Sequence, residues 1–213
     1  MSELKEKLIE SIMHSIVITI TSLIITYFII TNLSNIFLML ISSIIGVIFL
    51  ITYIRKTYTK EYLIINSWLS IACVFFIGNL IGKIVPLSSL IGIGIGTSIF
   101  DIISFTKIGS KTTNAKAMAN KNLMYKCIVY GKSLKNSNAV PTSGIGDFLF
   151  YTILLSGIYN VINNSNFLFY GACLIFLGCA INWIIVCFIY NKKWYKGFPA
   201  TFIPFILVVP LFL

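Results

Sequence analysis

What most constrains this chain is a recurring pattern in which apolar stretches close to twenty residues long are broken by short polar segments. They fall at roughly 12–30, 36–54, 63–82, 84–105, 141–161, 166–190 and 198–213. A helix needs about 20 apolar residues to cross a bilayer core, and backbone at that depth satisfies its polar groups only as a helix or a closed barrel. The spacing therefore predicts an all-α polytopic membrane bundle of about seven transmembrane helices, one integral membrane domain over 1–213. Composition agrees. With 58% hydrophobic and 10% charged residues, against about 45–50% and about 25% in ordinary soluble domains, a water-soluble globule is excluded.

Sixteen Lys/Arg against six Asp/Glu give a formal charge of +10. In a soluble domain that excess would point to a polyanion, but here it sits between apolar runs, and nucleic acid is not an expected partner. The charges sort by side instead. The N-terminal tail, the second connection (Arg55, Lys56, Lys60), the long segment 106–140 and the sixth connection (Lys192, Lys193, Lys196) hold all of them except Lys83. By the positive-inside rule, the N-terminus and loop 106–140 are cytoplasmic and the C-terminus is outside. The simplest location is a prokaryotic plasma membrane. The long loop is basic and free of acidic residues, which reads as a solvated linker near anionic headgroups, with gating of a site as the alternative.

Cys73, Cys127, Cys173, Cys179 and Cys187 show no CxxC spacing and no nearby histidine, so they read as packing residues without a disulfide framework or a zinc site. His14 opens the first run and reads as interfacial. The segment preceding that run has no signal-peptide cleavage pattern, and the first helix reads as retained. No metal and no cofactor is expected.

The acidic residues are Glu3, Glu6, Glu10, Glu61, Asp101 and Asp147. The glutamates lie in the cytoplasmic segments, whereas both aspartates lie within predicted spans, where a charge costs at least about 2.5–3.5 kcal/mol at the bilayer centre. Asp101 is five residues before Thr106 and Asp147 six after Pro141. At about 1.5 Å per residue, both are expected roughly 8–9 Å inside the cytoplasmic face. Consecutive antiparallel helices can bring them together. Ser88, Gly92 and Gly96, with Gly144 and Gly146 opposite, predict the close approach. The run IGIGIG at 91–96 lacks the strand and the acidic residue of a dinucleotide fingerprint, and reads as helix packing.

The segment from Gly144 through Ile145, Gly146 and Asp147 to Phe148-Leu149-Phe150-Tyr151 resembles the GxGD signature of the presenilin and signal peptide peptidase family of intramembrane aspartyl proteases. Phe100-Asp101 stands where that family has Tyr-Asp, and Phe198-Pro199-Ala200-Thr201 where it has Pro-Ala-Leu. The resemblance covers about residues 84–213. It implies a presenilin-like C-terminal core, catalytic Asp101 and Asp147, and substrate contacts from Phe100, Gly144, Ile145, Gly146, Pro199, Ala200 and Thr201. Three departures stand out: Phe100 for Tyr, Thr201 for Leu, and seven predicted helices rather than nine. Prepilin peptidases also carry GxGD, but usually with a basic residue after it, where this chain has Phe148-Leu149-Phe150.

Two carboxyls this close cannot both carry charge easily in a low dielectric, so the pair is expected to hold one proton. The ionised member then activates a water, and the protonated member polarises the scissile carbonyl and later supplies a proton to the leaving amine. The expected partners are a transmembrane peptide or protein substrate and the lipid bilayer. An unwound substrate is expected to keep its backbone satisfied by strand-like pairing near the site, with Pro199 and Pro204 exposing backbone at the start of the last helix. The competing class is a proton- or ion-coupled transporter or channel using the same carboxylates. A noncatalytic scaffold would leave both aspartates unexplained.

Overall fold

The computed structural model describes residues 3–57, 59, 61–104, 106, 109, 120–133, 138–192 and 199–212. Four helices come first: α1 (Glu3–Asn32), α2 (Ile36–Arg55), α3 (Leu63–Ile84) and α4 (Leu87–Ser104). After a short helix α5 (Lys121–Lys126), a hairpin of β1 (Ile128–Lys132) and β2 (Ala139–Gly144) leads directly into α6 (Ile145–Ile162). Then follow α7 (Ser165–Ile189) and α8 (Phe202–Val208), which tightens into a 3-10 turn over Val209–Phe212.

Among the described residues, six helices, α1–α4, α6 and α7, are long and apolar enough to cross a membrane. The seventh run forms the short apolar helix Phe202–Phe212. At about 1.5 Å per residue it spans only about 16 Å, well under a bilayer core of about 30 Å. The expected start of that run at Phe198 lies outside the described residues. Pro199, Ala200 and Thr201 remain non-helical: Pro204 has no N–H to offer the Ala200 carbonyl, and that carbonyl and the Thr201 N–H are engaged by side chains of other helices.

Local chemistry sets the short connections. Asn35 Oδ1 accepts from the N–H of Phe37 at 2.9 Å and caps α2. Asn164 does the same for α7 through Asn166, at 2.8 Å. Asn163 ends α6 in the left-handed conformation, φ 49°. Lys83, the one cation at this end, donates to the Leu33 carbonyl at 2.9 Å and ties α3 to the α1–α2 turn.

Helix α6 is the centre of the bundle. Phe148, Leu154, Leu155 and Ile158 are all buried. Gly78 and Gly82 of α3 face it closely, since a Cβ on Gly82 would lie 2.6 Å from both the Ile153 carbonyl oxygen and Ser156 Cβ. Small residues thus let two backbones approach, and Ser156 Oγ donates across the gap to the Asn79 carbonyl at 2.8 Å. The sequence placed this kind of contact on α4 instead. There, Ser88 and Gly92 are exposed, and a Cβ on Gly92 or Gly96 would meet nothing within 4 Å. The buried face of α4 is Leu90, Gly94 and Ser98, with the Phe205 ring of α8 over Gly94.

Two further expectations are corrected. The described part of the long loop is not a solvated linker: Val129 and Tyr130 are buried, Tyr130 N–H donates to Ser67 Oγ of α3 at 3.3 Å, and Lys126 is only 3% exposed. Its ammonium donates to the carbonyls of Ile54, at 3.0 Å, and Lys56, taking up carbonyls that the end of α2 leaves open. Of the other loop lysines, Lys107, Lys111, Lys116 and Lys135 lie outside the described residues. The helix expected from Pro141 begins instead at Ile145, because strand pairing persists through Gly144 and the Ile145 N–H still bonds the Cys127 carbonyl at 2.9 Å.

Candidate active site

The late start of α6 changes the position of Asp147. Rather than lying two turns inside a helix, it occupies the first turn, and its Oδ2 accepts the Gly144 N–H at 3.2 Å. A carboxylate at a helix N-terminus satisfies one of the open amide groups there and favours the helix dipole. Glycine at 144 leaves room, since a Cβ at that position would stand 3.2 Å from the same oxygen.

Asp101 is in the last turn of α4 and is held differently. Its Oδ2 accepts two hydrogen bonds from one residue of α8's approach, the Thr201 N–H at 3.0 Å and the Thr201 hydroxyl at 2.9 Å. Its other oxygen has no hydrogen-bond partner among the described residues. Thr201, one of the departures from the family pattern, thus contributes its hydroxyl directly to an aspartate.

Both aspartates line one cavity of about 500 Å³. Its walls come from α1 (Ser11, Ser15, Thr19), from β2 (Pro141 to Gly144), from Tyr151 of α6 and from Cys179 and Asn182 of α7. The hydroxyl-bearing face of α1 also grips the hairpin, with Ser11 Oγ donating to the Pro141 carbonyl at 2.6 Å. A cavity of about 600 Å³ lies at the α2–α3 connection, lined by Tyr53, Lys56 and Tyr62 among others, with no carboxylate among its described lining residues.

Of the residues the resemblance implied for substrate contact, Gly144 and Ala200 line the aspartate cavity. Phe100 is 69% exposed on the outer face of α4, Ile145 is buried and Gly146 is exposed, and none of the three lines the cavity. Pro199 and Thr201 are adjoining, half-buried and buried respectively, with Thr201 on Asp101. Phe198 lies outside the described residues.

Sequence reasoning passed over two residues. Asn182 Nδ2 donates to the Ala200 carbonyl at 2.8 Å, and Tyr151 OH donates to the same oxygen at 3.2 Å. Cys179 Sγ approaches the Tyr151 hydroxyl at 3.4 Å. Asn182 had a signal of the kind that exposed the aspartates, an amide inside a long apolar run.

The five cysteines are free thiols. Only Cys179 is buried, while Cys127, Cys173 and Cys187 are exposed rather than packed, Cys127 at the cavity wall. His14 packs against β1, where a Cβ on Gly131 would lie 2.6 Å from its Cγ. Compared with known proteins, the chain matches no family model, no curated protein and no solved structure.

Proposed function

We propose that this chain is an intramembrane aspartyl protease of presenilin-like type, cutting peptide bonds of membrane-spanning substrates with the Asp101/Asp147 pair and an activated water. The observation that carries the reading is the shared cavity: two carboxyls from different helices, each with one oxygen anchored, face a common space of about 500 Å³. In this reading the pair holds one proton between them. The ionised carboxylate takes a proton from water as that water attacks the scissile carbonyl. The protonated carboxyl hydrogen-bonds the carbonyl oxygen and then gives its proton to the departing nitrogen.

Strand β2 supports the expected way of holding an unwound substrate. Its inner edge pairs with β1, its other edge runs beside α1, and it ends three residues before Asp147. A peptide that displaced the Ser11 hydroxyl from the Pro141 carbonyl along that edge would keep its backbone satisfied by strand addition. The basic end of the bundle, with the N-terminus, the hairpin and the aspartates, is the cytoplasmic end in this reading. The membrane is a prokaryotic plasma membrane.

The test is cleavage of a single-span substrate in liposomes by the wild type, Asp101→Ala and Asp147→Ala. Loss of cleavage by at least about 10³-fold in both variants is expected, with the folded bundle retained by circular dichroism. Equal activity in all three would reject the protease, and ion flux lost in both variants without any cleavage would assign the carboxylates to transport.

A further inference from the structure

One peptide group links the core of the bundle to the peripheral aspartate. The carbonyl of Ala200 and the N–H of Thr201 belong to the same amide plane, and in a trans peptide they point in opposite directions. The carbonyl side accepts from Tyr151 of α6 and Asn182 of α7, and the N–H side donates to Asp101 of α4. Cys179 of α7 bonds the Tyr151 hydroxyl of α6 directly, but among the described residues Asp101 of α4 shares no side-chain hydrogen bond with either helix and meets them through the four atoms of this peptide group.

Such an arrangement has a physical consequence. Hydrogen bonds at a carbonyl polarise the amide and strengthen its N–H as a donor, and the effect grows in a low-dielectric interior. Asn182 is 6% exposed and Tyr151 5% exposed, so both donors act away from bulk water. The same bonds fix the rotation of the peptide plane, which decides where the N–H points. The second donor, the Thr201 hydroxyl, grows from the same residue and is aimed by the same backbone.

We infer that Asn182 and Tyr151 are positioning residues for Asp101, acting through the Ala200–Thr201 peptide group, and that the Thr201 hydroxyl is the side-chain clamp on that carboxyl. Resting on the protease reading, the inference gives the Pro199-Ala200-Thr201 segment the task of orienting a catalytic carboxyl, and removes substrate binding from Thr201.

Asn182→Leu and Thr201→Val remove the two ends of the bridge while keeping the branched heavy-atom skeleton of each side chain. In the liposome assay each is expected to lower kcat about tenfold, one lost positioning interaction, with KM within about twofold of wild type, and Thr201→Ser is expected to restore most of the Thr201→Val loss. Among the described residues Asn182 Oδ1 is buried without a hydrogen-bond partner, so the competing role is a direct substrate contact. A rise in KM with kcat intact in Asn182→Leu would assign it that role and overturn the bridge, as would a Thr201→Val enzyme with full kcat.

Should the protein show no aspartate-dependent cleavage, the protease reading fails, while the bridge is still tested by thermal unfolding. Asn182 and Asp101 make no direct hydrogen bond, so a cycle of Asn182→Leu, Asp101→Asn and the double variant reads the link between them. Non-additivity of about 2–4 °C is expected. Additive shifts within error would overturn it.

Discussion

The two helices that carry the aspartates are built in opposite ways. Of the most apolar stretch of α6, 61% is buried inside the bundle, against 17% for α4. Asp147 is fixed within its own helix start, by an amide three residues away, and that helix is enclosed by α1, α3, α4 and α7. Asp101 ends a peripheral helix and takes both its hydrogen bonds from Thr201, a hundred residues further along the chain. One carboxyl is thus set by local structure and the other by tertiary structure. Perturbation of the site is therefore expected to act mainly through Asp101.

The contrast can be broken from the α6 side first. Gly82→Leu forces a side chain into the Ile153 backbone and Ser156, and is expected to destabilise the bundle by about 3 kcal/mol, read as a lower unfolding midpoint in detergent together with loss of cleavage. Gly94→Leu strikes the Phe205 ring between α4 and α8. An intermediate cost of about 1–3 kcal/mol is expected, but with activity falling more than stability, because α8 carries Thr201; equal losses would place α4 on the same footing as α6. The smallest effect sharpens the comparison. Gly92→Ala and Gly96→Ala meet nothing and are expected to leave stability unchanged or raise it by up to about 1 kcal/mol through helix propensity, read from the same unfolding curve. A marked loss in either would show that this face of α4 is packed after all.

The spans were legible because apolar runs of helical length have few other solutions in a chain this poor in charge. The aspartates stood out for the same reason, as the only acids inside those runs. What escaped was set by distant partners. Ala139-Val140-Pro141-Thr142-Ser143-Gly144 carries no alternating pattern and is a strand only because β1 and Ser11 of α1 take up its backbone. The small-residue contact was assigned to α4, whose glycines are the more conspicuous, yet Gly78 and Gly82 make it. Spacing marks which residues share a face but not what lies opposite. Likewise the Thr201 hydroxyl was a departure from a motif until Asp101 was found beside it.

Lys126 gives the segment before the site an unusual mechanical character. Its ammonium grips the end of α2, the next residue's carbonyl holds the amide of Ile145, and Asp147 follows two positions on. The end of α2 and the first turn of the helix that carries Asp147 are thus stitched together through two adjacent residues, Lys126 and Cys127, although they lie about ninety residues apart in the chain.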